Sequence, residues 1–371
     1  MTVYADRLAV LIQTVADAGL QGLIINQTSY IFHLSGWMPP HGAPVFLVIG
    51  PRCVVLVTPF EPDAPGQIWN QSIWYDAWHT SALTPAVDRA IVALREAVSG
   101  AGLHRHAAVG AACDALPARV ALSLLDIVHL RDAHDLLFRA TMIKDAVAQQ
   151  AIRERVAMLD HAFVAAARSI RPGVSELEVY GAIVADLTLA LGAPPVVECV
   201  FGSGPRTLTN EPQPTSRILA PGDVVLIDLF PNLSGYVADY TRCFVVGAAT
   251  DAQLAQHLAL QQALEAAERA LRPGIAAVEI DRLVRQSIET AGYGPWCYQH
   301  HTGHGFGVLA VEPPWILPSS TTLLEEGMVI AIEPGIYHPG YGGMRLEGNY
   351  IITGDGCESL AGYPAVLTEC R

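Results

Sequence analysis

Two stretches of the chain, offset by 101 residues, are built alike. "RSIRPGVSELEVYGAI" (168–183) and "RALRPGIAAVEIDRLV" (269–284) match Arg168 with Arg269, Arg171 with Arg272, Pro172–Gly173 with Pro273–Gly274 and Glu178 with Glu279. In each copy a helix ends at the Pro-Gly pair and a fresh amphipathic helix starts two or three residues later. A second match follows at an offset of 105, where "LAPGDVVLIDL" (219–229) lies over "LEEGMVIAIEP" (324–334). Each is a Gly turn leading into an apolar strand that ends in an acid, Asp228 in one and Glu333 in the other. A repeat of this kind requires two related halves. It also sets a problem of charge, because a buried carboxylate is costly unless something positive lies beside it.

The repeat occupies only the later part of the 371 residues, a length that suits two domains. Up to about residue 140 the chain alternates helix-like and strand-like segments: an amphipathic first helix, "GLIIN", two apolar runs around Gly50, and "AVDRAIVALREAVSG". From Asp145 a long helical stretch runs without Pro or Gly as far as "RPG". The expected division is an α/β N-terminal domain over 1–142 and a repeat-bearing domain over 143–371.

Composition narrows the classes of function. The net charge of −14 opposes binding to nucleic acid or to anionic membrane surfaces. The seven cysteines are scattered, odd in number and never spaced C-x-x-C, which fits a reducing cytoplasm better than a disulfide framework or structural zinc. The N-terminal segment carries Asp6, Arg7, Gln13 and Asp17 among its apolar positions, and so lacks the core of a signal peptide. "APVFLVIGPRCVVLVTPF" is broken by Gly50, Pro51 and Arg52 into runs too short to span a bilayer.

The two strand-ending acids have company. Asp239 in "GYVADYTRCFVVG" and Glu347 in "GGMRLEGNYIITG" follow them, and "HHTGHGFG" (300–307) offers His304 among glycines that let backbone crowd close to a site. Four carboxylates and one imidazole in a single pocket stay ionised only beside a large positive charge. Two divalent cations supply it, and an oxygen-rich set with one imidazole suits Mn²⁺, Co²⁺, Fe²⁺ or Zn²⁺.

These segments resemble the pita-bread metallopeptidases, the family of methionine aminopeptidase, aminopeptidase P and prolidase. "GDVVLIDLFPNLSGYVADYTRCF", with aspartates eleven apart, is similar to that family's first acidic segment. "HHTGHGFG" is similar to its Gly-His-Gly turn, "AIEPGIYHPGYGGMRLEG" to its Glu-Pro-Gly-Ile-Tyr and Arg-x-Glu segments, and "SYIFHLSGW" to part of the prolidase-type N-terminal domain. The resemblance implies a creatinase-type α/β N-terminal domain and an α+β pita-bread catalytic domain with an internal pseudo-twofold repeat. It implies that Asp228 holds one metal, that His304 and Glu333 hold the other, and that Asp239 and Glu347 bridge them. Glu333 would also take the proton of the attacking water, His300 would line the pocket, and Arg345 would touch the ligands or the substrate. Of the adjacent His300 and His301, one is expected to face inward, and the resemblance favours His300. A homodimer acting on a dipeptide or another small molecule is the expected assembly and partner.

Two positions depart from that pattern. The family has a histidine seven residues after the metal-bound one, where this chain has Val311, and another ahead of the first aspartate, where alignment places Glu211. Asn210, His300 and Arg345 are the groups able to substitute for the lost donors. Three readings stay open: an Xaa-Pro dipeptidase-like hydrolase of a C–N bond; a non-peptide member of the ectoine-hydrolase or dimethylsulfoniopropionate-lyase kind acting on a small charged metabolite; and a binding protein on the same scaffold.

Overall fold

The computed structural model describes residues 2–39, 42–64, 66–78, 85–209 and 211–371. The chain divides into two compact units, Met1–Thr141 and Met142–Arg371.

In the first unit six strands form one sheet: β1 (Gly22–Ile25), β2 (Phe46–Ile49), β3 (Val54–Thr58), β4 (Gln71–Trp74), β5 (Ala108–Ala111) and β6 (His129–Asp132), in the order β4-β3-β2-β1-β5-β6. The apolar runs on either side of Gly50 become the antiparallel pair β2 and β3, with Leu47 opposite Leu56. The helices are α1 (Val3–Asp17), α2 (Thr28–Ser35), α3 (Ala86–Gly100), α4 (Ala118–Leu124) and α5 (His134–Thr141). On α3 the buried residues Ala90, Ala93, Leu94, Ala97 and Val98 recur at helical spacing and pack into a core with Val48, Val55 and Val57.

The second unit contains the repeat. Its first half runs α6 (Ala146–Ser169), α7 (Glu176–Leu191), β7 (Cys199–Ser203), β8 (Val224–Leu229), β9 (Asn232–Leu233), β10 (Tyr236–Val237) and β11 (Tyr240–Val246). The second runs α8 (Asp251–Ala270), α9 (Ala277–Thr290), β12 (Gly303–Gly305), β13 (Glu312–Ile316), β14 (Val329–Ile332), β15 (Gly335–His338), β16 (Gly342–Arg345), β17 (Gly348–Ile352), β18 (Cys357–Ser359) and β19 (Thr368–Cys370). The two larger sheets have the orders β19-β11-β8-β7 and β13-β12-β14-β17-β18. In each, the strand that follows the Gly turn is central and antiparallel to both neighbours: β8 between β7 and β11, β14 between β12 and β17.

The halves agree down to single hydrogen bonds. Gly173 N–H donates to the Leu219 carbonyl at 3.0 Å, and its counterpart Gly274 donates to Leu324 at 2.8 Å. Leu219 N–H returns a bond to Val174 at 2.8 Å, as Leu324 does to Ile275 at 2.9 Å. Gly173 and Gly274 sit at φ 89° and 83°, a left-handed conformation that only glycine adopts without strain, which accounts for the Pro-Gly in both copies. One device differs. Ser175 and Glu178 close a capping box at the start of α7, whereas Ala276 leaves α9 without a side-chain cap. Every residue of β8 and of β14 is buried, so each Val, Leu and Ile side chain contributes on the order of 1.5–3 kcal/mol to holding its strand in place. Each strand thereby delivers its acid to a fixed point.

Candidate metal centre

Asp228 lies on β8 opposite Thr241 of β11. Asp239 immediately precedes β11, Glu333 immediately follows β14, Glu347 immediately precedes β17, and His304 is the middle residue of β12. All five are buried and they meet in one place. One ligand atom each from Asp239, His304 and Glu347 lies within 4.8 Å of the other two. His304 Nε2 is 3.6 Å from Asp239 Oδ2 and 3.5 Å from Glu333 Oε1. Its Nδ1 is bonded to the Gly305 carbonyl at 2.9 Å, an arrangement that assigns the proton to Nδ1 and leaves Nε2 facing the acids with a free lone pair.

The backbone around the acids is braced from opposite sheets. Arg242 on β11 donates to the Glu347 carbonyl at 2.7 Å, and Asn349 on β17 donates to the Asp239 carbonyl at 2.6 Å. Thr241 gives its hydroxyl to Glu347 Oε2 at 2.9 Å and accepts from Arg345 Nε at 3.2 Å. Gly303 has no room for a side chain, since a Cβ would stand 2.0 Å from the Ala331 carbonyl oxygen on β14.

The charge balance among these residues is incomplete. Burial, then the neighbouring Asp228 and Glu333, pushes the Asp239 carboxyl well above the usual carboxylate range. Burial and then Asp239 and Asp228 do the same to Glu347. Burial raises Asp228 as well, against the pull of Arg345, which is ion-paired to it. Glu333 goes the other way: burial opposes ionisation, but His301, Arg345 and His304 together outweigh it and hold the carboxyl below its ordinary value. Three carboxylate oxygens, Asp228 Oδ1, Glu333 Oε1 and Glu347 Oε1, are buried without a hydrogen-bond donor. Unsatisfied buried carboxylate oxygens beside a buried imidazole nitrogen with a free lone pair are what a divalent-cation site offers. The residues present fit two such ions.

His300 and His301 both reach Glu333, at 3.9 and 2.8 Å, so the expectation that only one faces inward does not hold. The segment before β12 bends rather than running as a strand, and alternation of side chains therefore does not apply to it. His300 bonds the His301 carbonyl at 2.7 Å and the Tyr337 hydroxyl at 2.9 Å. Burial lowers its pKa to about 4, which keeps the ring neutral at neutral pH.

Beside the acids is a cavity of about 530 Å³ whose walls include Glu211, Trp296, Gln299, His300, Tyr337 and Arg345. Glu211 is exposed, at φ 46°, a left-handed backbone that a non-glycine residue adopts at some cost. Val311 is 43% exposed in the irregular segment before β13 and is not among the residues of the cavity wall. Asn210 lies outside the described residues. Phe201, Tyr236 and Tyr298 are core residues, Trp315 is not among the residues of the cavity wall, and the aromatic side chains that are on it are Trp296 and Tyr337. Sequence reasoning passed over Thr241 and Tyr337, and it set the imidazole of His301 aside in favour of His300. Only His301 had a visible signal, its place in "HHTGHG".

A family model for the M24 metallopeptidases matches residues 150–354. A probable dipeptidase PepE of Mycobacterium tuberculosis is 32% identical over 98% of this chain and 96% of its own length. An Xaa-Pro dipeptidase of Lactobacillus helveticus is 35% identical over 54% of this chain and 55% of its own. Among solved structures, dipeptidase PepE from Mycobacterium ulcerans superposes with a TM-score of 0.79 at 28% identity, covering 99% of this chain and 98% of that one. The Xaa-Pro dipeptidase of Bacillus anthracis superposes with a TM-score of 0.84 over 99% of both chains at 23% identity, a likeness of fold.

Proposed function

This chain belongs to metallopeptidase family M24, and we propose that it is a dinuclear metal-dependent hydrolase of the Xaa-Pro dipeptidase type, opening the C–N bond of a dipeptide or peptide-like amide. The observation that carries this reading is the meeting of Asp228, Asp239, His304, Glu333 and Glu347 around carboxylate oxygens with no hydrogen-bond donor. These five residues would hold two divalent cations drawn from Mn²⁺, Co²⁺, Zn²⁺ and Fe²⁺. When bound, such a pair supplies Lewis acidity, acidifying a water and polarising the amide carbonyl.

The chain's own residues do the rest. Glu333, kept ionised by His301 and Arg345, accepts the proton of the attacking water and passes it to the leaving nitrogen as the C–N bond breaks. On the cavity wall His300 Nδ1–H donates to the His301 carbonyl and Nε2 accepts from the Tyr337 hydroxyl, so a substrate oxygen that takes the place of Nε2 would receive the Tyr337 hydrogen, a donor in place of the family imidazoles absent at 211 and 311. A lost oxyanion donor costs about 3–4 kcal/mol, so a replacement is required for useful rates. Arg345 bridges Asp228 and Glu333 and fixes both.

One observation favours a second reading, hydrolysis or elimination on a small charged metabolite. Glu211 places a negative charge on the cavity wall, and Arg345, the one cation among the described lining residues, is taken up by Asp228 and Glu333. A free substrate carboxylate finds little to pair with there, whereas a cationic group does. We further place the protein in the cytoplasm as a homodimer. The unpaired state of all seven cysteines supports a reducing compartment, and among the described residues no helix is long and apolar enough to cross a membrane.

Metal analysis of protein purified without chelators, followed by Xaa-Pro dipeptides assayed beside betaine-like and ectoine-like compounds, tests both readings. Two bound ions and turnover of the dipeptides are expected. Protein that binds no divalent ion and gains no heat resistance from Mn²⁺ or Co²⁺ would rule out both.

A further inference from the structure

We propose that His301 is a direct ligand of this centre, so that the ion position at His304 and Glu333 is held by two imidazoles instead of one. The inference rests on the dinuclear reading and adds a residue to it.

His301 Nδ1 is 2.8 Å from Glu333 Oε1, yet the two are not aligned as donor and acceptor, and both atoms are buried with no hydrogen-bond partner. His304 Nε2 approaches the same Oε1 at 3.5 Å. The two rings stand nearly perpendicular, at 86°, with centroids 5.1 Å apart. With bonds of about 2.0–2.2 Å, neighbouring ligand atoms on one ion lie on the order of 3.0–3.4 Å apart. The separations of 2.8 and 3.5 Å bracket that range, and one ligand atom each from His300, His301 and Glu333 lies within 4.8 Å of the other two, as for Asp239, His304 and Glu347.

The neighbouring imidazole shows the contrast. Both ring nitrogens of His300 are engaged, Nδ1 by the His301 carbonyl and Nε2 by the Tyr337 hydroxyl, and its nearest carboxylate oxygen on Glu333 is 3.9 Å away. His300 is held on the cavity wall while Nδ1 of His301 is aimed at a carboxylate oxygen that itself has no donor. The segment carrying both is fixed from behind, where Arg285 donates to the Tyr298 carbonyl at 3.0 Å and to the His300 carbonyl at 3.1 Å. A shell with a second imidazole shifts preference from Mn²⁺ toward the borderline ions Zn²⁺ and Co²⁺.

The test is calorimetric titration of the metal-free, full-length protein with Zn²⁺ and with Mn²⁺, together with the visible spectrum of the Co²⁺ form, for wild type, His301→Gln, His301→Ala and His300→Gln. Circular dichroism checks that each variant is folded. The expected result is a loss of about tenfold or more in Zn²⁺ affinity at one of two sites in both His301 variants, with a smaller loss for Mn²⁺ and an altered Co²⁺ spectrum. His300→Gln is expected to leave the Zn²⁺ affinity and the Co²⁺ spectrum in place. Wild type binding two ions, with His301 variants indistinguishable from it or with His300→Gln equally impaired, would overturn the inference and leave the dinuclear reading standing. Wild type without two sites would overturn both.

Discussion

Arg242 and Asn349 brace each other's half of the centre: Arg242 donates to the carbonyl of Glu347, and Asn349 donates to the carbonyl of Asp239. Each acid is thus positioned by the strand that follows its counterpart. Asn349→Ala removes one brace and leaves a buried carbonyl without this donor, at a cost of about 1–3 kcal/mol. Metal affinity is expected to fall roughly tenfold as Asp239 loosens. Urea denaturation and calorimetric titration measure the two effects separately, and unchanged affinity would show that Asp239 is oriented by other contacts.

Gly303 is a position with no room to change. A Cβ there would stand 2.0 Å from backbone on β14, so Gly303→Ala must part β12 from β14 or shift His304. We expect a loss of at least about 3 kcal/mol in stability, accompanied by loss of metal binding in whatever protein remains folded. A variant as stable as wild type, with intact titration, would contradict the close approach.

Glu211 sets the charge of the cavity wall. Glu211→Gln is expected to raise kcat/KM for dipeptides with a free C-terminal carboxylate and lower it for substrates with a cationic group, each by about 1 kcal/mol, roughly fivefold. Competition between one substrate of each kind reads the ratio directly. A ratio that does not move would place the substrate away from this residue.

His257 on α8 is buried, its Nε2 has no hydrogen-bond partner, and burial lowers its pKa to about 4. The unfolded chain takes up a proton near pH 6.5 that the folded chain refuses until about pH 4. The stability contributed by the neutral ring is therefore complete above pH 6.5 and is lost as the pH falls toward 4, by on the order of 3 kcal/mol. His257→Leu should flatten that part of the curve in denaturation experiments run between pH 4 and pH 7.

The acids at Asp228 and Glu333 are legible in the sequence because an apolar run that ends in a carboxylate is chemically awkward, and the Pro-Gly turns because they recur at a fixed offset. The division into two units is legible from the long helix without Pro or Gly that opens the second. What sequence does not carry is adjacency between sheets. That Arg242 lies against Glu347, or that Thr241 bonds it, depends on β11 lying beside the start of β17, and no local pattern encodes that. The inward turn of His301 is hidden for a related reason: a bent segment has no period from which to read which way a ring points. Glu211 is visible as an acid, but its left-handed backbone and its place on a cavity wall are not.

The division of the centre between two halves has a consequence for biosynthesis. Asp228 and Asp239 are translated about 100 residues ahead of Glu333 and Glu347, and His304 falls between them. A nascent chain that has emerged only through β11 carries two acids destined for burial without the His304 imidazole or the Arg345 guanidinium that lie against them. The centre lacks half of its acids until residues near 350 have been synthesised. Only then can the pocket close and dry.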